Sequence, residues 1–165
     1  VLRVAKRSKS IDRVEEALRE LGVDAVPVEL DKSARTAQLA ADALGVPLGS
    51  IVKSLVFIGD GSGILALVAG DRRADTAKIA AACGATEVRM ANADEVRELT
   101  GYAVGGVPPV GHRTQMAVVV DESLWRFDLL HAAAGAPQAV FPVTIDELVR
   151  ITGAKKADIV EENGG

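Results

Sequence analysis

The sequence predicts an α/β fold, a single domain with a central mixed β-sheet flanked by helices. Three observations carry that prediction. Residues 51–58, 64–69 and 115–121 are nearly continuous apolar runs rich in β-branched residues, the pattern of strands buried on both faces. Around them lie segments with apolar residues at helical spacing, several closed by a glycine. Their order is helix–strand–helix–hairpin–helix–strand–helix–loop–strands–helix. This is neither an internal repeat nor strict strand–helix alternation, which points to a sheet of mixed direction.

Ser10 is the expected N-cap of a helix over 11–21, where Ile11, Val14, Leu18 and Leu21 share one face and Gly22 ends the helix. Residues 24–30 hold Val26-Pro27-Val28, a strand in which Pro27 demands an edge or a strand start. Thr36 caps a helix over 37–44, with Leu39, Ala40, Ala43 and Leu44 inward and Gly45 just beyond. After a tight connector at 46–50, strands over 51–58 and 64–69 flank the hairpin loop Gly59-Asp60-Gly61-Ser62-Gly63. Asp75 caps a helix within 74–83, residues 86–90 form a short strand, and Asn92 caps a helix over 93–99. A strand follows at 115–121. Alternation around Trp125 and Phe127 predicts another over 124–130, then a small-residue turn at 132–137 and a strand at 139–143. Thr144 caps a last helix over 145–152, closed by Gly153.

The 165 residues fit one domain spanning 1–165, with about 1–9 and 161–165 as flexible ends. Hydrophobic residues make up 48% but aromatics only 3%, so the core is aliphatic. No run approaches 18 unbroken apolar residues, and no apolar stretch follows the basic start, so neither a membrane span nor a secretory signal is expected. Cys83 is the single cysteine; it allows no internal disulfide or cysteine-rich zinc site, and a buried small hydrophobe is expected there. A cytoplasmic location is consistent with this usage. The net charge of −4 argues against broad nucleic-acid binding, while leaving room for a grip on one end of a nucleic acid.

Two features resist a purely structural account. Lys53 interrupts a buried strand, where a charge is costly unless it pairs or opens into a pocket. It is either a snorkelling edge lysine or a site lysine. The loop Gly101-Tyr102-Ala103-Val104-Gly105-Gly106-Val107-Pro108-Pro109-Val110-Gly111 is the second, either a tight crossover or a cradle for an anion or oxyanion. Asp71-Arg72-Arg73 reads as a solvated turn or a phosphate contact. His112 directly follows the loop and is a candidate site residue; His131, beside an apolar turn, reads as a satisfied structural histidine. No phosphate-loop or nucleophile-elbow motif occurs and no carboxylates pair, so catalysis would rest on backbone donors, a lysine and the substrate.

Ile51-Val52-Lys53-Ser54-Leu55-Val56-Phe57, then Leu65-Ala66-Leu67-Val68-Ala69-Gly70-Asp71-Arg72-Arg73, then the glycine loop, in that order, resemble the YbaK / prolyl-tRNA editing-domain family of aminoacyl-tRNA deacylases. Gly153-Ala154-Lys155-Lys156-Ala157-Asp158-Ile159 is similar to the family's C-terminal end, so the likeness covers nearly the whole chain. The resemblance implies a free-standing enzyme that hydrolyses the ester joining a wrong, small amino acid to tRNA, tRNA for proline above all. Lys53 matches the family's strand lysine, Ser54 the Ser or Thr that commonly follows, and Gly105, Gly106, Val107 and Pro109 its glycine loop. The implied catalytic set is Lys53, Gly105, Gly106 and Val107, with N–H groups around Gly106 and Val107 holding the oxyanion and Lys53 anchoring the terminal phosphate or ribose. Ser54, Pro109, Gly111, His112 and Arg72 would contact substrate. No metal or cofactor is implied; the partners would be the aminoacyl-tRNA acceptor end and prolyl-tRNA synthetase. Water, or a cysteinyl substrate's own thiol, would be the nucleophile. The family's cysteine-specific branch carries a Ser-Gly-Gly-type turn and a nearby acid, whereas Ala132-Ala133-Ala134-Gly135-Ala136-Pro137 stands here. The missing hydroxyl and carboxylate count against cysteine specificity and leave alanine, serine and threonine open, with the choice among Ala, Cys, Ser and Thr not fixed by sequence. The alternatives are a non-catalytic tRNA- or synthetase-binding module and, more remotely, a nucleotide-binding regulator.

Overall fold

Two long antiparallel strands organise the computed structural model, which describes residues 8–162. β2 (Ile51–Gly59) and β3 (Ser62–Ala69) pair from Val52↔Ala69 to Gly59↔Ser62. Successive side chains of a strand point to opposite faces. Val52, Val56, Leu65, Leu67 and Ala69 therefore enter one core cluster, and Phe57, Ile64, Ala66 and Val68 another. Burial on both faces is why these strands read as unbroken apolar runs.

The sheet grows from this hairpin in both directions. On the β3 side, β5 (Ala117–Asp121) runs parallel to β3, and β8 (Lys155–Ala157) parallel to β5. On the free edge of β2, β6 (Leu129–Ala133) pairs in parallel at Ile51 and Val52, β7 (Ala139–Thr144) pairs antiparallel with β6, and β1 (Val28–Glu29) closes the edge on β7. β4 (Val88–Met90) meets the same edge of β2 farther along, at Phe57, Ile58 and Gly59.

Helices cover both faces. α1 (Lys9–Glu20), α4 (Ala93–Thr100) and α5 (Ile145–Thr152) bury Ile11, Val14, Leu18, Val96, Leu148 and Ile151 in the first cluster. On the opposite face, α3 (Thr76–Cys83) contributes Ile79, and α2 (Ala37–Leu44) sets Ala40 and Ala41 against Ile51. Thr36, Asp75, Asn92 and Thr144 all cap helices as their sequence positions predict.

Several local expectations differ from the structure. Ser8, not Ser10, caps α1, its hydroxyl accepting from the Ile11 N–H; Ser8 and Lys9 thus belong to an element, inside the stretch expected to be loose. Residues 1–7 and 163–165 lie outside the described residues. Leu21 and Leu39 are exposed, and Ala41 takes an inward position on α2. Of the strand expected over 124–130, only Leu129 and Leu130 are strand, as the start of β6; residues 124–128 are not. The Asp121 carboxylate accepts from the Ser123 N–H and hydroxyl and starts a 3-10 turn over Glu122–Arg126, which overrides the Trp125/Phe127 alternation. The other oxygen of this fully buried carboxylate accepts from the Ile159 N–H (2.9 Å), tying the C-terminal segment to the sheet. β6 then runs through Ala132 and Ala133, where a turn was expected. β8 was not expected at all, because Lys155-Lys156-Ala157 has no apolar alternation; exposed lysines are typical of an edge strand. Cys83 is half-buried at the end of α3, and burial raises its thiol pKa.

The cap of α4 has a measurable acid signature. Glu95 accepts from both guanidinium nitrogens of Arg89 (2.8 Å each) and from the Asn92 N–H (2.9 Å), which lowers its pKa from 4.5 to about 2. A carboxyl with a depressed folded-state pKa adds stability above its unfolded value and loses it as pH falls through the folded value. Thermal unfolding followed from pH 6 down to about 2 should therefore show wild-type stability declining below about pH 4.5, and a Glu95→Gln variant declining less across that window.

Candidate functional site

β6 and β4 approach the same edge of β2 from opposite ends and do not meet. β6 is paired up to Val52 and β4 from Phe57 onward, which leaves the strand uncovered between them. A cavity of about 270 Å³ occupies that gap. Its walls are mostly apolar, with Val52, Val56, Ala91, Val96, Val107 and Val140 among them, and α2 and the turn before it add Arg35, Thr36 and Ala37. Among the described residues, Arg35 and Lys53 are its only ionisable lining side chains. Met90 and Val104, 61% and 58% exposed, also line it and leave apolar surface at its opening.

The glycine loop is held rigid by its own apolar residues. Tyr102, Val107 and Val110 are buried in the main core, and Arg13 stacks on the Tyr102 ring at 4.7 Å. Gly105 has φ +89°, a left-handed conformation that side-chain-bearing residues rarely adopt. Gly106 is required by close approach: a Cβ there would lie 2.9 Å from the Ala136 N and Cα. Two hydrogen bonds lock it, from the Gly106 N–H to the Ala103 carbonyl and from the Gly135 N–H to the Gly106 carbonyl, both 3.0 Å. The donor role implied for Gly106 thus has no free N–H in this structure. The Val107 N–H has no protein acceptor among the described residues.

The structure brings Lys53, Ser54, Gly105 and Val107 to one cavity and leaves Gly106 just behind its wall. Strand alternation sends Lys53 to the face of Ile51 and Phe57, and its ammonium donates to the Arg72 carbonyl at 2.5 Å. Burial pushes the Lys53 pKa below the ordinary lysine value; Asp71 opposes that shift and Arg73 adds to it. Ser54 faces the other way, and its hydroxyl is buried without a hydrogen-bond partner.

Pro109, Gly111, His112 and Arg72 do not line the cavity. The Arg72 guanidinium pairs with Asp71 (3.1 Å), which also takes a two-pronged bond from Arg126 (2.7 and 2.9 Å). The His112 Nε2 lies 2.6 Å from the Pro108 carbonyl, so the ring donates there and fastens the loop; burial lowers its pKa. Gly111 packs against Ala17 of α1. His131 on β6 is not the satisfied histidine expected: its Nδ1 is buried without a partner, and burial lowers its pKa. Sequence reasoning missed Arg35 and Thr36, because only the tertiary fold carries the start of α2 to the β2 edge.

Fold and cavity define a class: α/β proteins with a small, mostly apolar cavity at a gap in the central mixed sheet. Within that class, the chain belongs to the aminoacyl-tRNA editing domain family, whose model matches residues 31–151. A solved structure described as a candidate trans-editing enzyme for prolyl-tRNA synthetase superposes with a TM-score of 0.91 at 46% identity, covering 94% of this chain and 99% of that one. A candidate Cys-tRNA(Pro)/Cys-tRNA(Cys) deacylase, EbsC of Enterococcus faecalis, is 29% identical over 71% of this chain and 77% of its own. The proline–tRNA ligase of Lactobacillus johnsonii is 34% identical over 82% of this chain, which spans only 23% of that ligase.

Two substitutions separate structural from functional roles at the cavity. Gly106→Ala should lower stability by about 1–3 kcal/mol in denaturant unfolding, since the backbone of Ala136 must shift to admit the methyl group. Ser54→Ala should leave stability unchanged or slightly raised, because it removes a buried hydroxyl that bonds to nothing in the fold. A loss above about 1 kcal/mol there would make the hydroxyl structural.

Proposed function

We propose that this protein hydrolyses the ester joining a wrongly attached small amino acid to tRNA, with tRNA for proline as the leading substrate, and that it does so in trans to the synthetase. One observation carries the reading: Lys53 and Ser54 of β2 meet Gly105 and Val107 of the glycine loop at one small apolar cavity. Family membership and the described activity of the relatives support it.

The cavity suits a side chain of few atoms. Apolar walls distinguish such side chains by only about 1–3 kcal/mol per methylene, so alanine, cysteine, serine and threonine are all candidates. An ester is already activated, and a positioned water with main-chain donors suffices. The water oxygen bonds to the carbonyl carbon, the bond to the ribose oxygen breaks, one water proton passes to that oxygen, the other is released to solvent, and the amino acid leaves as its carboxylate. With a cysteinyl ester, the substrate's own thiol sulfur can instead bond to the carbonyl carbon as the bond to the ribose oxygen breaks, the thiol proton passing to that oxygen. The cyclic thioester so released is then opened by water to the free amino acid. Lys53 anchors the terminal ribose or phosphate, exchanging the Arg72 carbonyl for the substrate. Arg35, whose guanidinium has no acidic partner among the described residues, adds a second cation at the cavity.

Purified protein should deacylate at least one of alanyl-, cysteinyl-, seryl- and threonyl-tRNA(Pro) faster than prolyl-tRNA(Pro). Lys53→Ala should lower kcat/KM on that ester by about 100-fold or more, the scale of losing substrate positioning. Unchanged turnover in that variant would remove the lysine from the reaction. Acceptor-stem binding with no hydrolysis of any of the four esters would make the protein a non-catalytic binding module.

A further inference from the structure

The uncovered edge of β2 carries main-chain groups that the reading above does not use. Along an antiparallel strand, successive residues direct their N–H and carbonyl groups alternately to the two neighbours. The Ile51 carbonyl accepts from the Gly70 N–H on the β3 side, and the Val56 carbonyl accepts from the Ala91 N–H on the β4 side (3.0 Å). Ile51, Lys53 and Leu55 therefore address β3, while Val52, Ser54 and Val56 address the opposite edge. Pairing on that edge stops at Val52↔Ala132 and resumes at Phe57↔Met90. The Ser54 N–H, the Ser54 carbonyl and the Val56 N–H thus face the gap with no strand opposite. The Ser54 hydroxyl is orphaned as well. Native proteins rarely leave so many polar groups of one residue unpaired beside apolar walls unless water or a ligand meets them.

We infer that the aminoacyl group of the substrate binds as the missing strand residue opposite Ser54. Its ester carbonyl oxygen accepts the Ser54 N–H, and its α-ammonium donates to the Ser54 carbonyl. In an antiparallel hydrogen-bonded pair, one residue exchanges two such bonds with one partner. An α-amino ester carries its donor and its acceptor at the spacing of a single peptide residue, so one amino acid completes the pair. The arrangement supplies a preorganised N–H at the oxygen where negative charge develops, a task the Gly106 N–H cannot perform while bonded to Ala103. It deepens the proposed deacylase reading and rests on it.

The probe is 3′-alanylamino-3′-deoxyadenosine, an amide that resists hydrolysis but keeps both the carbonyl and the ammonium. Its counterpart is the 3′-lactylamino compound, with a hydroxyl in place of the ammonium. In amide hydrogen exchange followed by NMR, the Ser54 N–H of the free protein should exchange at least about tenfold faster than that of Leu55, which pairs with β3. Saturating alanyl probe should slow Ser54 by at least about tenfold and leave Leu55 nearly unchanged, and the lactyl probe should bind at least about tenfold more weakly. Replacing Ser54 by its α-hydroxy counterpart, which exchanges the N–H for an ester oxygen and also weakens the Lys53 carbonyl as an acceptor toward β3, should lower kcat by about 100-fold in a folded protein. The same exchange at Leu55, whose N–H faces β3, should lower kcat far less. If the protein deacylates but saturating alanyl probe leaves Ser54 exchange unchanged, or the lactyl probe binds equally well, this placement is overturned by itself. If it neither hydrolyses the esters nor binds the probe, the deacylase reading fails and this placement falls with it.

Discussion

The constraint on which the structure turns is that β2 offers one free edge to two strands of opposite direction. β3 occupies the other edge along almost its whole length. β6 arrives parallel to β2 and β4 antiparallel, each from a different connection, and neither can continue into the ladder of the other. The strand between them stays in place because both its faces are packed, with Val52 and Val56 in one core and Phe57 in another. A strand held that firmly can leave part of its edge unpaired without collapsing the gap.

The rest of the site is built to keep that gap shaped. Buried Val107 and Val110 pull the glycine loop toward the sheet, and Gly106 lets it touch the Gly135–Ala136 backbone. On the opposite face, the Lys53 ammonium, the Arg72 carbonyl, Asp71 and Arg126 form a continuous polar chain at the turn after β3. Gly49 makes room for it, since a Cβ there would sit 2.9 Å from both Arg126 and Asp71 side-chain atoms. Lys53 is thus stabilised by a structural partner in the absence of substrate, which explains how a lysine persists in a strand with two buried faces.

Family membership and geometry carry different parts of the account. The match over residues 31–151 places the chain among aminoacyl-tRNA editing domains. The cavity lining holds no carboxylate, histidine or cysteine among the described residues; its ionisable side chains are Arg35 and Lys53, beside the main-chain groups of the glycine loop. Under the proposed reading, those main-chain dipoles and two cations act on an ester, which is already activated.

By itself the sequence determined the α/β class, the hairpin, the four caps at Thr36, Asp75, Asn92 and Thr144, and the suspicion attached to Lys53 and the glycine loop. Each of these rests on short-range physics: apolar periodicity, a hydroxyl or carboxylate one turn before a helix, a charge where none should be buried. Long-range partners escaped it. The strand expected around Trp125 gave way to a turn because Asp121 found Ser123 and Ile159; β8 formed from two lysines and an alanine because β5 offered an edge; and His112 proved to be a fastener of the loop outside the cavity lining. Above all, nothing in the local pattern of 51–58 distinguishes a fully paired strand from one left open at Ser54. That difference depends on where β6 stops and β4 begins, and only the tertiary structure decided it.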